Sequence, residues 1–119
     1  MEQKEKKTFD LEERTLAFAM AVREFVKMLP RSVANMEDGK QLVRSSGSVG
    51  ANYIEANESL SRKDFVMRIK IARKEAKESG YWLKLIEVSE SLAEKRAMLE
   101  REAVELTKIL SSILLKSAE

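Results

Sequence analysis

Apolar residues recur at intervals of three and four along nearly the whole chain, and this spacing limits the possible folds more than any other feature. Such spacing places the apolar side chains on one face of an α-helix, and that face is normally buried against other helices. Four segments show the pattern, and they predict helices over residues 10–29, 37–59, 62–88 and 94–116. Because the connections between them are short, we expect an all-α fold, an antiparallel up-down four-helix bundle.

Local signals support the start of two helices and the end of one. Asp10 followed by Glu13 is a capping-box pattern for the first helix, and Ser61 followed by Asp64 is a similar pattern for the third. Pro30 should end the first helix because proline has no backbone N–H to donate.

The second predicted helix contains the sequence SSGSVGA at residues 45–51, which includes two glycines. Each glycine costs about 1 kcal/mol relative to alanine inside a helix, so a close approach by a neighbouring helix must compensate. Gly47 and Gly50 also have the G-x-x-G spacing of loops that clamp nucleic-acid backbones. The α/β pattern of those domains is missing, and close helix packing is therefore the favoured interpretation.

Composition and length indicate one domain over residues 1–119, with the charged residues 1–8 as a disordered N-terminal tail. Charged residues make up 35% of the chain and aromatic residues 6%, a balance typical of long helices. The chain has no cysteine, no apolar run of transmembrane length, and no apolar region near its start that would indicate a signal peptide. We therefore expect a cytoplasmic protein that has no membrane partner.

The sequence offers little for catalysis, because it has neither histidine nor cysteine and no nucleophile elbow. We expect no catalytic residue, no cofactor and no metal site. Glu75 and Glu78 have the i, i+3 spacing found in di-iron bundles, but those sites also use histidine. An all-carboxylate metal site is a minor alternative, and partial burial with pairing to Arg44 or Arg68 is favoured.

Positive charge is concentrated in residues 61–84, where eight basic and three acidic residues contrast with a net charge of +2 for the whole chain. Five lysines of this segment fall within about 80° on a helical wheel, opposite the apolar stripe, with an arginine at their edge. The predicted nucleic-acid-binding residues are Lys63, Lys70, Arg73, Lys74, Lys77 and Lys84. They could follow a phosphate backbone. The alternative is a solvated helix face that carboxylates of neighbouring helices partly neutralise.

Several large apolar residues lie outside the four main stripes. A monomeric bundle needs one apolar stripe per helix, so a second stripe indicates either a subunit interface or an unusually broad core. The predicted interface residues are Leu16, Met20, Met67, Ile71 and Trp82.

The segment at residues 40–56, KQLVRSSGSVGANYIEA, resembles a motif of the bacterial four-helix-bundle proteins associated with intervening sequences in 23S ribosomal RNA. The sequence Lys63-Asp64-Phe65, followed by Ala72, Glu75, Glu78, Trp82 and Leu83, adds to this resemblance. The motif residues carried over are Arg44, Ser45, Ser48, Asn52, Glu55, Glu75 and Trp82. Whether they form a ligand site or only pack is left open.

The resemblance implies an antiparallel bundle that assembles into a homopentameric ring. It extends to the accessory variability determinant of diversity-generating retroelements, a ring that binds a reverse transcriptase and nucleic acid through a basic surface. Our hypothesis is a non-enzymatic oligomeric scaffold that binds RNA or DNA through the basic face. The alternative is a protein-interaction module that docks a reverse transcriptase or a ribosome-associated partner without contacting nucleic acid.

Overall fold

The structure, a computed structural model, describes residues 2–117 of the protein, with side chains from residue 11 onward. Four α-helices follow one another: α1 (Glu2–Lys27), α2 (Val33–Asn57), α3 (Arg62–Leu85) and α4 (Ala93–Ser117). A single 3₁₀ turn, Glu90–Leu92, precedes α4. No strand occurs within the described residues, and the predicted all-α fold is confirmed.

Consecutive helices run antiparallel, because the early part of each one contacts the late part of its neighbour. The contacts that show this reversal are Thr15–Gly50 and Val26–Gly39 for α1 and α2, Arg68–Asn52 and Ser79–Ser45 for α2 and α3, and Arg73–Ser111 and Arg96–Ile86 for α3 and α4. Arg14 of α1 joins α4 through its Nε, 2.7 Å from Oε2 of Glu102. Each helix therefore lies beside two others, as an up-down bundle requires.

All four helices contribute to one hydrophobic core, and the side chains that form it lie in the four segments predicted to be helical, except Leu92 of the 3₁₀ turn. Its largest fully buried apolar members are Val22, Phe25, Leu42, Val49, Ile69, Leu83, Ile86, Leu106 and Leu110. Burying a side chain of this size stabilises a fold by about 1.5–3 kcal/mol. The core therefore fixes which face of α3 points outward.

The first helix begins earlier than predicted. Its backbone is helical from Glu2, so Asp10 lies inside α1 and is not its N-cap. The predicted start near residue 10 was wrong, and the described part of the predicted disordered tail, residues 2–8, is helical. Glu, Gln and Lys favour helices, which accounts for this extension. The helix ends at Lys27, two residues before the predicted end and three before Pro30.

Helix α2 ends at Asn57, two residues early, and α4 differs from its predicted bounds by one residue at each end. Two other boundaries differ by more because of side-chain hydrogen bonds. Helix α2 starts at Val33, four residues early, because Ser32 Oγ accepts a 3.0 Å hydrogen bond from the backbone N–H of Asn35. Helix α3 ends at Leu85, three residues early. There the buried side chain of Asn35 bonds both backbone groups of Glu87, donating to its oxygen (2.9 Å) and accepting from its nitrogen (3.0 Å). The predicted cap at Ser61 is confirmed by its 3.1 Å bond from the N–H of Asp64.

Helix α2 continues without a break through residues 45–51, so the G-x-x-G segment is not a loop. Gly50 packs directly against α1, where a Cβ at that position would lie 2.7 Å from Oγ1 and 3.1 Å from Cβ of Thr15. Thr15 is only 1% exposed and β-branched, and it has little freedom to move away. The predicted close helix approach is therefore confirmed at this glycine.

We expect Gly50→Ala to lower the free energy of unfolding by about 1–3 kcal/mol, because the added methyl group overpacks the contact with Thr15. Gly80→Ala is the matched control, since its Cβ would lie an ordinary 3.8 Å from Cβ of Ala103. That substitution should stabilise α3 by up to about 1 kcal/mol through helix propensity. Urea unfolding followed by circular dichroism at one protein concentration measures both, and equal shifts for the two variants would contradict the packing argument.

Candidate nucleic-acid interface

The five predicted lysines lie on the outer surface of α3, because Ile69, Ala76 and Leu83 turn the opposite side of the helix into the core. These lysines are Lys63, Lys70, Lys74, Lys77 and Lys84, and all five side chains are exposed. Within the described part of the chain, none of them forms an ion pair. Neighbouring helices therefore leave this positive charge unneutralised.

Most of these cationic side chains line a groove between α3 and α4. One section, about 580 Å³, is lined by Lys70, Arg73, Lys74 and Lys77. The next section, about 330 Å³, is lined by Lys77 and Lys84 of α3 and by Lys108 of α4. Lys63 lines neither section.

Helix α4 supplies the opposite wall of the groove with hydroxyl groups. Arg73 is half-buried there, with its Nη1 3.5 Å from Oγ of Ser111. Thr107 lines both sections, and its hydroxyl donates a 2.8 Å hydrogen bond to the backbone oxygen of Ala103. The lone pairs of that hydroxyl are thus still able to accept a hydrogen bond.

The electrostatic balance of the groove is strongly positive. Among the described residues that line it, Glu78 is the only carboxylate. Oε1 of Glu78 lies 3.5 Å from Nη2 of Arg44 on α2, which partly neutralises it from outside the groove. Lys108 is paired with Glu105 at 3.8 Å, whereas the lysines of α3 have no such partner among the described residues. A groove with this excess of one charge attracts anions over several ångströms.

Tyr81 lies in this groove, although it was not among the predicted residues. Its side chain is 57% exposed, and it lines both sections together with Lys77. The ring contacts Trp82 edge to face, with centroids 5.2 Å apart and an interplanar angle of 72°. The signal in the sequence was its position four residues after Lys77 and three before Lys84, which places it on the same face.

The residues of the 40–56 motif form a polar seam between α2 and α3, outside the groove. Oγ of Ser45 lies 2.8 Å from Oγ of Ser79, and both serines are fully buried. Ser79 also donates to the backbone oxygen of Glu75 (2.9 Å). Nη2 of Arg44 lies 3.4 Å from Oε1 of Glu75, whose carboxylate is largely buried. The predicted partial burial and pairing of Glu75 are confirmed, with Arg44 as the partner.

The remaining motif residues divide between packing and surface. Asn52 donates to the backbone oxygen of Ser48 (2.9 Å) and accepts from Nη1 of Arg68 (3.1 Å), which joins α2 to α3. Glu55 is exposed. Trp82 is half-buried against the core, and its indole N–H is buried without a hydrogen-bond partner in the described residues. These contacts account for most of the motif as helix packing.

Four of the five predicted interface residues fall into two apolar patches on different helices. Leu16 and Met20, 60% and 59% exposed, line a groove between α1 and α2 together with Ile54; these three residues form the α1–α2 patch. Met67 is exposed on α3, and Ile71, one turn further along, is half-buried; these two form the α3 patch. Trp82 lies eleven residues beyond Ile71 and packs against the core, outside this patch.

The chemistry available to the described residues is that of binding surfaces. They contain no cluster of three or more acidic, histidine or cysteine side chains that could hold a metal ion. Over residues 2–117, none of the helices combines the length and the apolar character needed to cross a bilayer.

The four antiparallel helices around one core place the chain among the small four-helix-bundle proteins. The chain matches the family of 23S rRNA-intervening sequence proteins over residues 7–112, and it belongs to that family. A solved structure with a TM-score of 0.75 and 32% identity is that of a protein of unknown function from the S23 ribosomal protein family of Bacteroides thetaiotaomicron. The match covers 87% of this chain and 97% of that one. Neither description names an enzymatic activity. None of the curated proteins matches the chain.

Proposed function

We propose that the protein is a non-enzymatic oligomeric scaffold that binds RNA or DNA through the groove between α3 and α4. The observation that carries this proposal is the row of exposed, unpaired lysines that α3 presents beside α4 in the described part of the chain. The alternative, a solvated face that carboxylates of neighbouring helices partly neutralise, calls for ion pairs to these lysines, and the described residues form none. A row of free ammonium groups and a guanidinium donate charge-assisted hydrogen bonds to phosphate oxygens readily.

Assembly is the second part of the proposal. The α1–α2 patch and the α3 patch lie on different helices. The α1–α2 patch of one copy can therefore pack against the α3 patch of the next copy. Such a head-to-tail contact generates a ring when the rotation closes. We propose the homopentamer that the family resemblance implies, and in such a ring the groove of each subunit would add to one large positive surface.

The alternative function, a protein-interaction module, is favoured by the same apolar patches. Either patch could receive a partner such as a reverse transcriptase or a ribosome-associated protein, with the lysines serving only solubility. Both functions belong to a cytoplasmic protein, and the absence of cysteine is compatible with that location.

Filter binding separates the two functions. We expect the purified protein to retain ribosomal RNA on a filter at about 0.15 M salt and to lose it progressively as salt increases, because binding to phosphates releases counterions. A protein of similar size and net charge without a lysine row is the control for non-specific retention. No retention above that control would favour the protein-interaction module.

A further inference from the structure

We infer that the groove binds single-stranded nucleic acid, with Tyr81 as a stacking platform for an unpaired base. This inference rests on the proposed function, because it assigns the form of nucleic acid that the same groove would take. The ring of Tyr81 belongs neither to the hydrophobic core nor to the polar seam.

Tyr81 is an exposed aromatic residue within the row of lysines on α3. Its ring is 57% exposed and lies among cations, with Lys77 one turn before it and Lys84 one turn after it on the same face. The neighbouring Trp82 is the residue that packs against the core, and its edge contact supports the tyrosine ring from one side. The packing of the described residues thus leaves much of the ring available to a ligand.

An exposed aromatic ring between cations is suited to an unpaired base, whose face is accessible in a single strand and covered in a duplex. An unpaired base has a free π-face that stacks on an aromatic side chain whatever the sequence, while the phosphates on either side meet the flanking lysines. In a duplex, both faces of each base are covered by neighbouring base pairs, and only the phosphates are accessible to this groove. Tyr81 should therefore contribute to single-strand binding and leave duplex binding nearly unchanged.

The test compares Tyr81→Ala and Tyr81→Phe with the unaltered protein on three probes: single-stranded RNA, single-stranded DNA and duplex RNA. All three probes have the same mixed sequence. Their length is about 20 nucleotides, which is longer than one groove can cover. Fluorescence anisotropy at a fixed salt concentration gives the affinity. We expect Tyr81→Ala to weaken single-strand binding about 5- to 100-fold, as the loss of one stacked base predicts, and duplex binding less than about twofold. Tyr81→Phe should retain single-strand affinity. If Tyr81→Ala loses affinity for both single-stranded probes, the groove accepts ribose and deoxyribose strands alike. If it loses affinity for single-stranded RNA alone, the groove is specific for RNA.

Leu85→Ala is the matched control, because Leu85 is exposed on the same helix but lines neither section of the groove. Light scattering on each variant checks that assembly is unchanged, and a Tyr81→Ala variant with altered mass would overturn the inference by making the ring part of a subunit contact. Equal effects on single strands and duplex, or no effect on either, would also overturn it while groove binding stands. If the unaltered protein binds none of the probes, the proposed function fails as well.

Discussion

Replacing Lys70 and Lys77 together with glutamate is expected to weaken binding to RNA by at least about tenfold at about 0.15 M salt. The two side chains lie one above the other along the groove, and neither has an ion-pair partner among the described residues. The double substitution would therefore remove two of the proposed phosphate contacts and add two repulsive charges. Binding should weaken for all sequences alike, since phosphate contacts carry no sequence information.

The dependence of affinity on salt gives a second readout of this variant. Each phosphate contact contributes about one to the slope of log affinity against log salt concentration, so that slope should become shallower by about two. Lys27→Glu plus Lys95→Glu is the matched control, because it makes the same change in net charge on α1 and α4, outside the groove. Unchanged affinity in the groove variant, or an equal loss in the control, would show that α3 does not make the phosphate contacts.

The second large effect concerns assembly. Leu16→Asp plus Met20→Asp is expected to convert the proposed oligomer into monomers with a mass near 13.6 kDa, measured by light scattering at micromolar concentration. Burying a leucine or methionine contributes about 1.5–3 kcal/mol, and a carboxylate buried there without a partner opposes association further. Because the two side chains are 60% and 59% exposed in one chain, the helical circular dichroism of the variant should be unchanged.

A control for assembly is Met98→Asp, which places one of these carboxylates at an exposed methionine on α4, away from both patches. The control should keep the mass of the unaltered protein. A mass near 13.6 kDa for the unaltered protein itself would contradict the proposed ring and leave the exposed apolar patches as the surfaces of a monomer.

The helices themselves were predictable because their signals are local. Each apolar stripe recurs at a spacing of three and four, and the Ser61 cap lies three residues from the N–H whose hydrogen bond it accepts. The start of α2 was misplaced although its cap, Ser32, is also local, whereas the end of α3 depends on a distant contact. Asn35 bonds Glu87, which lies 52 residues further along the chain, and no pattern within either segment indicates that pair.

The site shows the same division between local and distant information. The lysine face follows from the wheel of one helix, and the sequence therefore located it correctly on the outside of α3. The groove requires knowing which helix lies beside α3, since Thr107 and Ser111 come from α4. The partner of Glu75 had the same difficulty: Arg44 and Arg68 were both plausible, and only the packing of α2 on α3 separated them.

The position of Arg44 links the interior of the bundle to its charged surface. Its guanidinium contacts the buried Glu75 of the polar seam and also Glu78, the one carboxylate among the described residues lining the groove. If Arg44 moved away from α3, the negative charge of Glu78 would no longer be partly neutralised. The groove would then attract phosphate less strongly. By thermodynamic reciprocity, an anion held in the groove would favour the state in which Arg44 stays docked. Occupancy of the groove and tight packing of α2 on α3 are thus expected to reinforce each other.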